Sequence, residues 1–217
     1  MTAPILVVNP NSDADVTAGL SAALDPFRRP GGPAIECLTL AEGPFGIETQ
    51  RDADMVIAPL LRLVESRPDA AAVVIACYSD PGLEACRAVA RAPVFGIQEC
   101  GVATALARAD RFGVVAIADA SIGRHRRAMR RMGVLDRLAG ERALNMSVAE
   151  SARGPRSLER LRAIGGLLIE DGAETLILGC AGMARHRAPL EAALGAPVID
   201  PTQAAVAMAL GAALAAG

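Results

Sequence analysis

The sequence has 217 residues, enough for one large domain or two small ones of about 100 residues each. Apolar residues make up 52% and aromatics 2%, with no Trp, so a stacking surface for bases or sugars is hard to assemble. The net charge of −2 asks for neither nucleic acid nor a membrane, and the absence of Lys removes pyridoxal-phosphate and Lys Schiff-base chemistry.

In chain order, short apolar runs alternate with longer helical stretches. Strands are expected at Pro4–Val8, Ala34–Leu38, Ala72–Ala76, Pro93–Ile97, Phe112–Ile117, Leu144–Val148, Glu174–Leu178 and Pro197–Ile199. Helices are expected at Thr49–Glu65, Gly82–Arg91, Ile122–Met132, Ser157–Asp171 and Thr202–Ala215. Nearly continuous apolar strands alternating with helices predict an α/β fold with parallel sheets covered on both faces. The N-terminal stretch lacks the pattern of a signal peptide, and the Ala-rich tail is interrupted by Gln203 and Gly211, which favours a packed final helix over a membrane span. A cytoplasmic, reducing location is therefore expected.

The chain repeats itself. AAVVIACYSDPG, Ala71–Gly82, resembles AETLILGCAGM, Ala173–Met183: an apolar strand, a Cys, then a Gly-containing turn. ILVVNPN, Ile5–Asn11, has its counterpart in FGVVAIADAS, Phe112–Ser121. Two similar halves follow, 1–108 and 109–217, with the C-terminal helix free to cross back onto the first.

Ligands of open parallel sheets sit at the carboxyl ends of strands, where the repeat places both Cys77 and Cys180. Facing each other across a cleft, two thiols suit a two-base proton transfer. Ser79 or Asp80 is expected to cap a helix with Pro81 as its first residue, whose dipole lowers the Cys77 pKa. Gly179 and Gly182 allow backbone N–H groups near Cys180 to approach a ligand. Cys37, Cys86 and Cys100 lack repeat partners and are read as core. The five cysteines fit no disulfide or zinc spacing, and His125 and His186 are too few for a His-rich site, so no metal is expected.

Asn9–Ser12 ends the first strand on the same rim, where Asn11 can meet a ligand and Asp13 can cap a helix. Arg124, Arg127 and Arg131 fall on one helix face, read as solvated, with His125 exposed in the same run. His186 is read as surface. Tyr78 and Ser79 follow Cys77 directly and can line the pocket.

At these residues the sequence resembles the Asp/Glu/hydantoin racemase superfamily, in its hydantoin and allantoin racemase branch. NPNS at Asn9–Ser12, GPFGIETQRDADMVIAPLL at Gly43–Leu61, ACYSDPGL at Ala76–Leu83 and LGCAGM at Leu178–Met183 carry the resemblance. It implies two pseudosymmetric α/β halves with the active site between them, no cofactor, a homo-oligomer, and racemisation of hydantoins or related ureides. Cys77 and Cys180 would be the acid/base pair. Asn11, Tyr78, Ser79, Asp80, Ala181 and Gly182 would hold substrate. Where the family usually offers a Thr pair, this chain has Ala118, Asp119, Ala120 and Ser121; Asp119 either points into the rim or caps the following helix.

Alternatives in the same fold are a Cys-dependent isomerase or racemase of a small carboxylic or amino acid, or a decarboxylase, which the resemblance gives one Cys rather than two. Outside catalysis stand a ureide-binding protein and a thiol sensor; a sensor disulfide would need Cα atoms within ~7 Å.

Overall fold

The computed structural model describes residues 3–153 and 156–215. The first half contributes β1 (Ile5–Asn9), α1 (Ala14–Ala23), β2 (Ile35–Thr39), α2 (Gln50–Met55), α3 (Ile57–Ser66), β3 (Ala72–Ile75), α4 (Leu83–Val89), β4 (Val94–Gly96) and α5 (Ile97–Leu106). The second contributes β5 (Phe112–Ala116), α6 (Asp119–Arg131), β6 (Leu138–Ala143), α7 (Val148–Arg153), α8 (Ser157–Glu170), β7 (Thr175–Gly179), a 3-10 turn (Ala181–His186), α9 (Arg187–Leu194), β8 (Val198–Ile199) and α10 (Pro201–Ala215).

The strands form two four-stranded sheets with all pairs parallel, ordered β2-β1-β3-β4 and β6-β5-β7-β8. The orders match strand for strand. Every residue of β1, β3, β5 and β7 is buried, because each lies inside its sheet with helices on both faces. Burying each large aliphatic side chain there contributes about 1.5–3 kcal/mol. The halves interlock through their last helices: α10 packs on α5 and β3, while α5 packs on β7 and β8.

Several elements depart from the sequence expectation. The expected helix 49–65 is two helices broken at Val56, with α3 starting at Ile57. Pro59 explains the break. It has no N–H for the Met55 carbonyl and its ring would clash with it, so it is accommodated only in a first turn. The strand expected at Leu144–Val148 is instead Leu138–Ala143, and Val148 opens α7. Glu141 and Arg142 disguise this strand: Arg142 reaches Asp171 at the sheet edge, and Glu141 is buried against His125. The helix after Cys77 starts at Leu83, not Pro81. Its cap is Gly82 at φ 68°, with no side-chain cap bond.

Candidate active site

The carboxyl ends of β3 and β7 converge on one cleft lined by Cys77, Tyr78 and Ser79 from the first half and Cys180, Ala181 and Gly182 from the second. Asn11 and Val16 close one side, Ile117, Ser121, Arg124 and His125 another, and Ile47 and Val148 also line it. The free volume is about 30 Å³, the room of roughly one or two waters. Gly179 sets the approach of the second wall: a Cβ there would stand 2.6 Å from the Val115 carbonyl oxygen, so only Gly lets β7 end this close to β5.

Both sulfurs lie among apolar neighbours, and this controls their charge. Burial pushes the Cys77 thiol up to about 12, against a lowering hydrogen bond from the Ser79 N–H. Burial pushes Cys180 up to about 11, against the lowering influence of the Gly182 N–H and of the Ser151 hydroxyl, which itself donates to the Val148 carbonyl. Charge on Cys180 also raises Cys77, so the two sulfurs disfavour being thiolates together. The expected lowering of Cys77 by a helix dipole is thus not what dominates: α4 begins six residues downstream, and desolvation of the thiolate outweighs the single N–H.

The Asn9–Ser12 turn is held by its own side chains. Asn9 Nδ2 donates to Asn11 Oδ1 at 2.8 Å and to Thr17 Oγ1 at 3.0 Å, and the Asp13 N–H donates to Asn11 Oδ1 at 3.0 Å. Asp13 caps α1 by accepting from the Asp15 N–H. Asn11 Oδ1 is occupied, and its Nδ2, in a residue that lines the cleft, has no partner among the described residues.

A family model described as Asp/Glu/Hydantoin racemase matches residues 5–209. The chain belongs to the Asp/Glu/hydantoin racemase family. It is 34% identical over 208 residues to a hydantoin racemase of Paenarthrobacter aurescens, covering 93% of this chain and 87% of that protein. It is 36% identical over 212 residues to a hydantoin racemase of Rhizobium meliloti, covering 94% and 86%. The structure of an allantoin racemase from Klebsiella pneumoniae superposes with a TM-score of 0.92 at 30% identity, covering 99% of this chain and 89% of that one. This racemase-family chain is accordingly an isomerase.

The structure brings Cys77, Cys180, Asn11, Tyr78, Ser79, Ala181 and Gly182 together on the cleft, and leaves three other sequence candidates off its lining. Asp80 caps a different helix: its carboxylate accepts from the Gln98 and Glu99 N–H groups at 2.9 Å each, at the start of α5. A Cβ on Gly96 would fall 2.3 Å from the Asp80 carboxyl carbon, so Gly96 makes room for this cap. Ala118 precedes α6 as its cap without a side-chain bond. Asp119 is exposed and neither caps α6 nor enters the rim; its N–H and carboxylate both pair with the side chain of Asn145.

Sequence reasoning missed several cleft neighbours. His125 is buried, not exposed, with Nδ1 2.6 Å from Glu141 Oε1. His186 is likewise buried rather than on the surface, its Nε2 3.1 Å from the Ser151 carbonyl. Arg124 leaves the solvated face to donate to Ser79 Oγ at 3.2 Å and to the Glu48 carbonyl at 3.3 Å. Ser121 and Ser151 are fully buried. The i, i+4 spacing from Ser121 to His125 was the available signal: with Ser121 following the strand end, both fall on the inward face of α6. Ser151 lay after a misplaced strand and offered none. Among the described residues no group of three His, Cys, Asp or Glu side chains could hold a metal ion, and no helix is long and apolar enough to cross a membrane.

Proposed function

We propose that this racemase interconverts the enantiomers of a small cyclic ureide, a 5-substituted hydantoin or allantoin, by proton transfer between Cys77 and Cys180 without a cofactor. The observation that carries the reading is the placement of two thiols at equivalent strand ends on one cleft. Residues 1–108 and 109–217 form its two walls. The relatives named hydantoin racemase and allantoin racemase support the substrate class.

The ring carbon of such a ureide lies beside a carbonyl, which makes its proton acidic enough for a thiolate. One sulfur, as thiolate, takes that proton; the electron pair moves onto the carbonyl as an enolate. The opposite thiol gives its proton to the other face, leaving the thiolate and thiol exchanged. Asn11 Nδ2 and the N–H groups of the Ala181–Gly182 turn are placed to hold carbonyl oxygens. The raised thiol pKa values fit this chemistry, since a dry site strengthens a thiolate as a base once substrate displaces water.

The test is to incubate single enantiomers of allantoin and of 5-substituted hydantoins with the protein in D2O, with a strong chelator present. The proposal expects loss of optical rotation together with deuterium at the ring carbon, above the uncatalysed rate. No exchange with any ureide, or activity that returns only on adding a divalent ion, would contradict it.

A further inference from the structure

The cleft wall holds an ionisable pair that the two-thiol mechanism does not use. His125, on α6, is 1% exposed and lines the cleft with Cys77 and Tyr78. Its Nδ1 lies 2.6 Å from Oε1 of Glu141, a residue of the edge strand β6 whose side chain is wholly buried. The Tyr78 ring stands edge-on to the imidazole, centroids 4.9 Å apart and planes at 86°, which fixes the plane of the ring. Gln98 Nε2 donates to the His125 carbonyl at 3.0 Å, tying this turn of α6 to α5 of the other half. Arg126 Nε stands 3.6 Å from the second Glu141 oxygen, a charge contact that favours the carboxylate.

A carboxylate only accepts, so Glu141 takes the Nδ1–H, and in the tautomer this selects Nε2 is the ring's acceptor. Among the described residues Nε2 has no hydrogen-bond partner, and its residue lines the cleft. We propose that His125 binds substrate, its Nε2 accepting a ring N–H of the cyclic ureide, with Glu141 as the positioning residue that keeps the proton on Nδ1. The inference rests on the ureide reading above and names the atom that recognises it. It also gives the site a means of choice. An N–H beside the reacting carbon satisfies Nε2, whereas a carboxylate oxygen there would set acceptor against acceptor in a buried place.

The sequence has only two histidines, which makes the test direct. Protein labelled with 15N-histidine is titrated with 5,5-dimethylhydantoin, a ring ureide with no proton to abstract. A saturable shift at the His125 Nε2 resonance is expected, with its Nδ1 and both His186 nitrogens little changed. Glu141→Gln supplies a second readout. An amide can donate to Nδ1 and reverse the tautomer, so KM should rise about tenfold, the cost of one misdirected hydrogen bond, with kcat less affected. A purely structural role would lower stability and leave the KM-to-kcat balance alone. Saturable binding seen elsewhere in the protein with no movement at Nε2 would overturn the role of His125 and leave the ureide reading standing. No saturable binding, together with no ureide turnover, would overturn both.

Discussion

Cys77 and Cys180 hold matching places in the fold: each follows the strand that is third in the order of its sheet, β3 and β7, and both line one cleft. The internal repeat is thus reproduced at matching positions in two sheets of identical order. Their surroundings differ: the Ser151 hydroxyl, which donates to the Val148 carbonyl, lowers the Cys180 pKa, whereas Cys77 feels the positive charge of Arg124.

The pH dependence follows from burial. A two-base racemase works with one thiolate and one thiol. In the free protein both groups are raised from 9.0, to about 12 for Cys77 and about 11 for Cys180. The active fraction should then climb about tenfold per pH unit below the lower value. Measured kcat/KM should keep rising through pH 10, with no plateau near 8.5; a plateau there would show unperturbed thiols. Stability carries the opposite sign. Between pH 9.0 and about 12 the folded state holds more protons than the unfolded, so stability is full below 9.0 and is lost as pH rises through that window.

Ser151→Ala removes a buried hydroxyl whose influence lowers the Cys180 pKa. The thiolate becomes scarcer, and kcat/KM at pH 8 should fall about tenfold, the worth of one bond to a charged group. Because the enantiomers have equal free energy, the loss must be the same in both directions. Polarimetry started from each pure enantiomer checks this, and an unchanged rate would remove Ser151 from the site.

Asp80 tests capping against substrate contact. Its carboxylate serves the first N–H groups of α5, so Asp80→Ala should cost about 1–2 kcal/mol of stability. It should lower the urea midpoint while leaving KM near the parent value. A rise in KM without loss of stability would mean that Asp80 meets the substrate.

A free volume of about 30 Å³ is smaller than a ring ureide, so the cleft must widen to take one, and the segment carrying Ile47 is expected to give way. That segment is latched by Arg124, which reaches the Glu48 carbonyl and Ser79, and by Arg127, which donates to Gln50 Oε1 at 3.1 Å. In Arg124→Ala, amide exchange across residues 44–50 should quicken about tenfold while the central strands stay protected. Unchanged exchange would place the opening elsewhere.

The buried inner strands and the strand-end placement of both cysteines were legible because those strands are apolar throughout and the repeat marked equivalent ends; the edge strand β6, carrying Glu141 and Arg142, was not. What escaped was set by contacts between distant segments. Glu141 reads as surface charge until α6 lays His125 against it, and Asp80 reads as a cap for the nearest helix although its partners are 18 and 19 residues away. Arg124 belongs to a run of arginines that local sequence assigns to solvent; only the crossing of α6 over the 44–50 segment turns it inward.

The central claim is the division of labour between the sulfurs, and one measurement addresses it most directly. Cys77→Ser and Cys180→Ser are each incubated with each pure ureide enantiomer in D2O, following optical rotation and the ring-carbon proton together. A serine hydroxyl lacks the acidity of a thiol, so each variant should lose racemisation in both directions by orders of magnitude. The remaining thiolate should still exchange the proton of one enantiomer with retention, and the two variants should choose opposite enantiomers. Full racemisation by either variant, or exchange of the same enantiomer by both, would contradict the account.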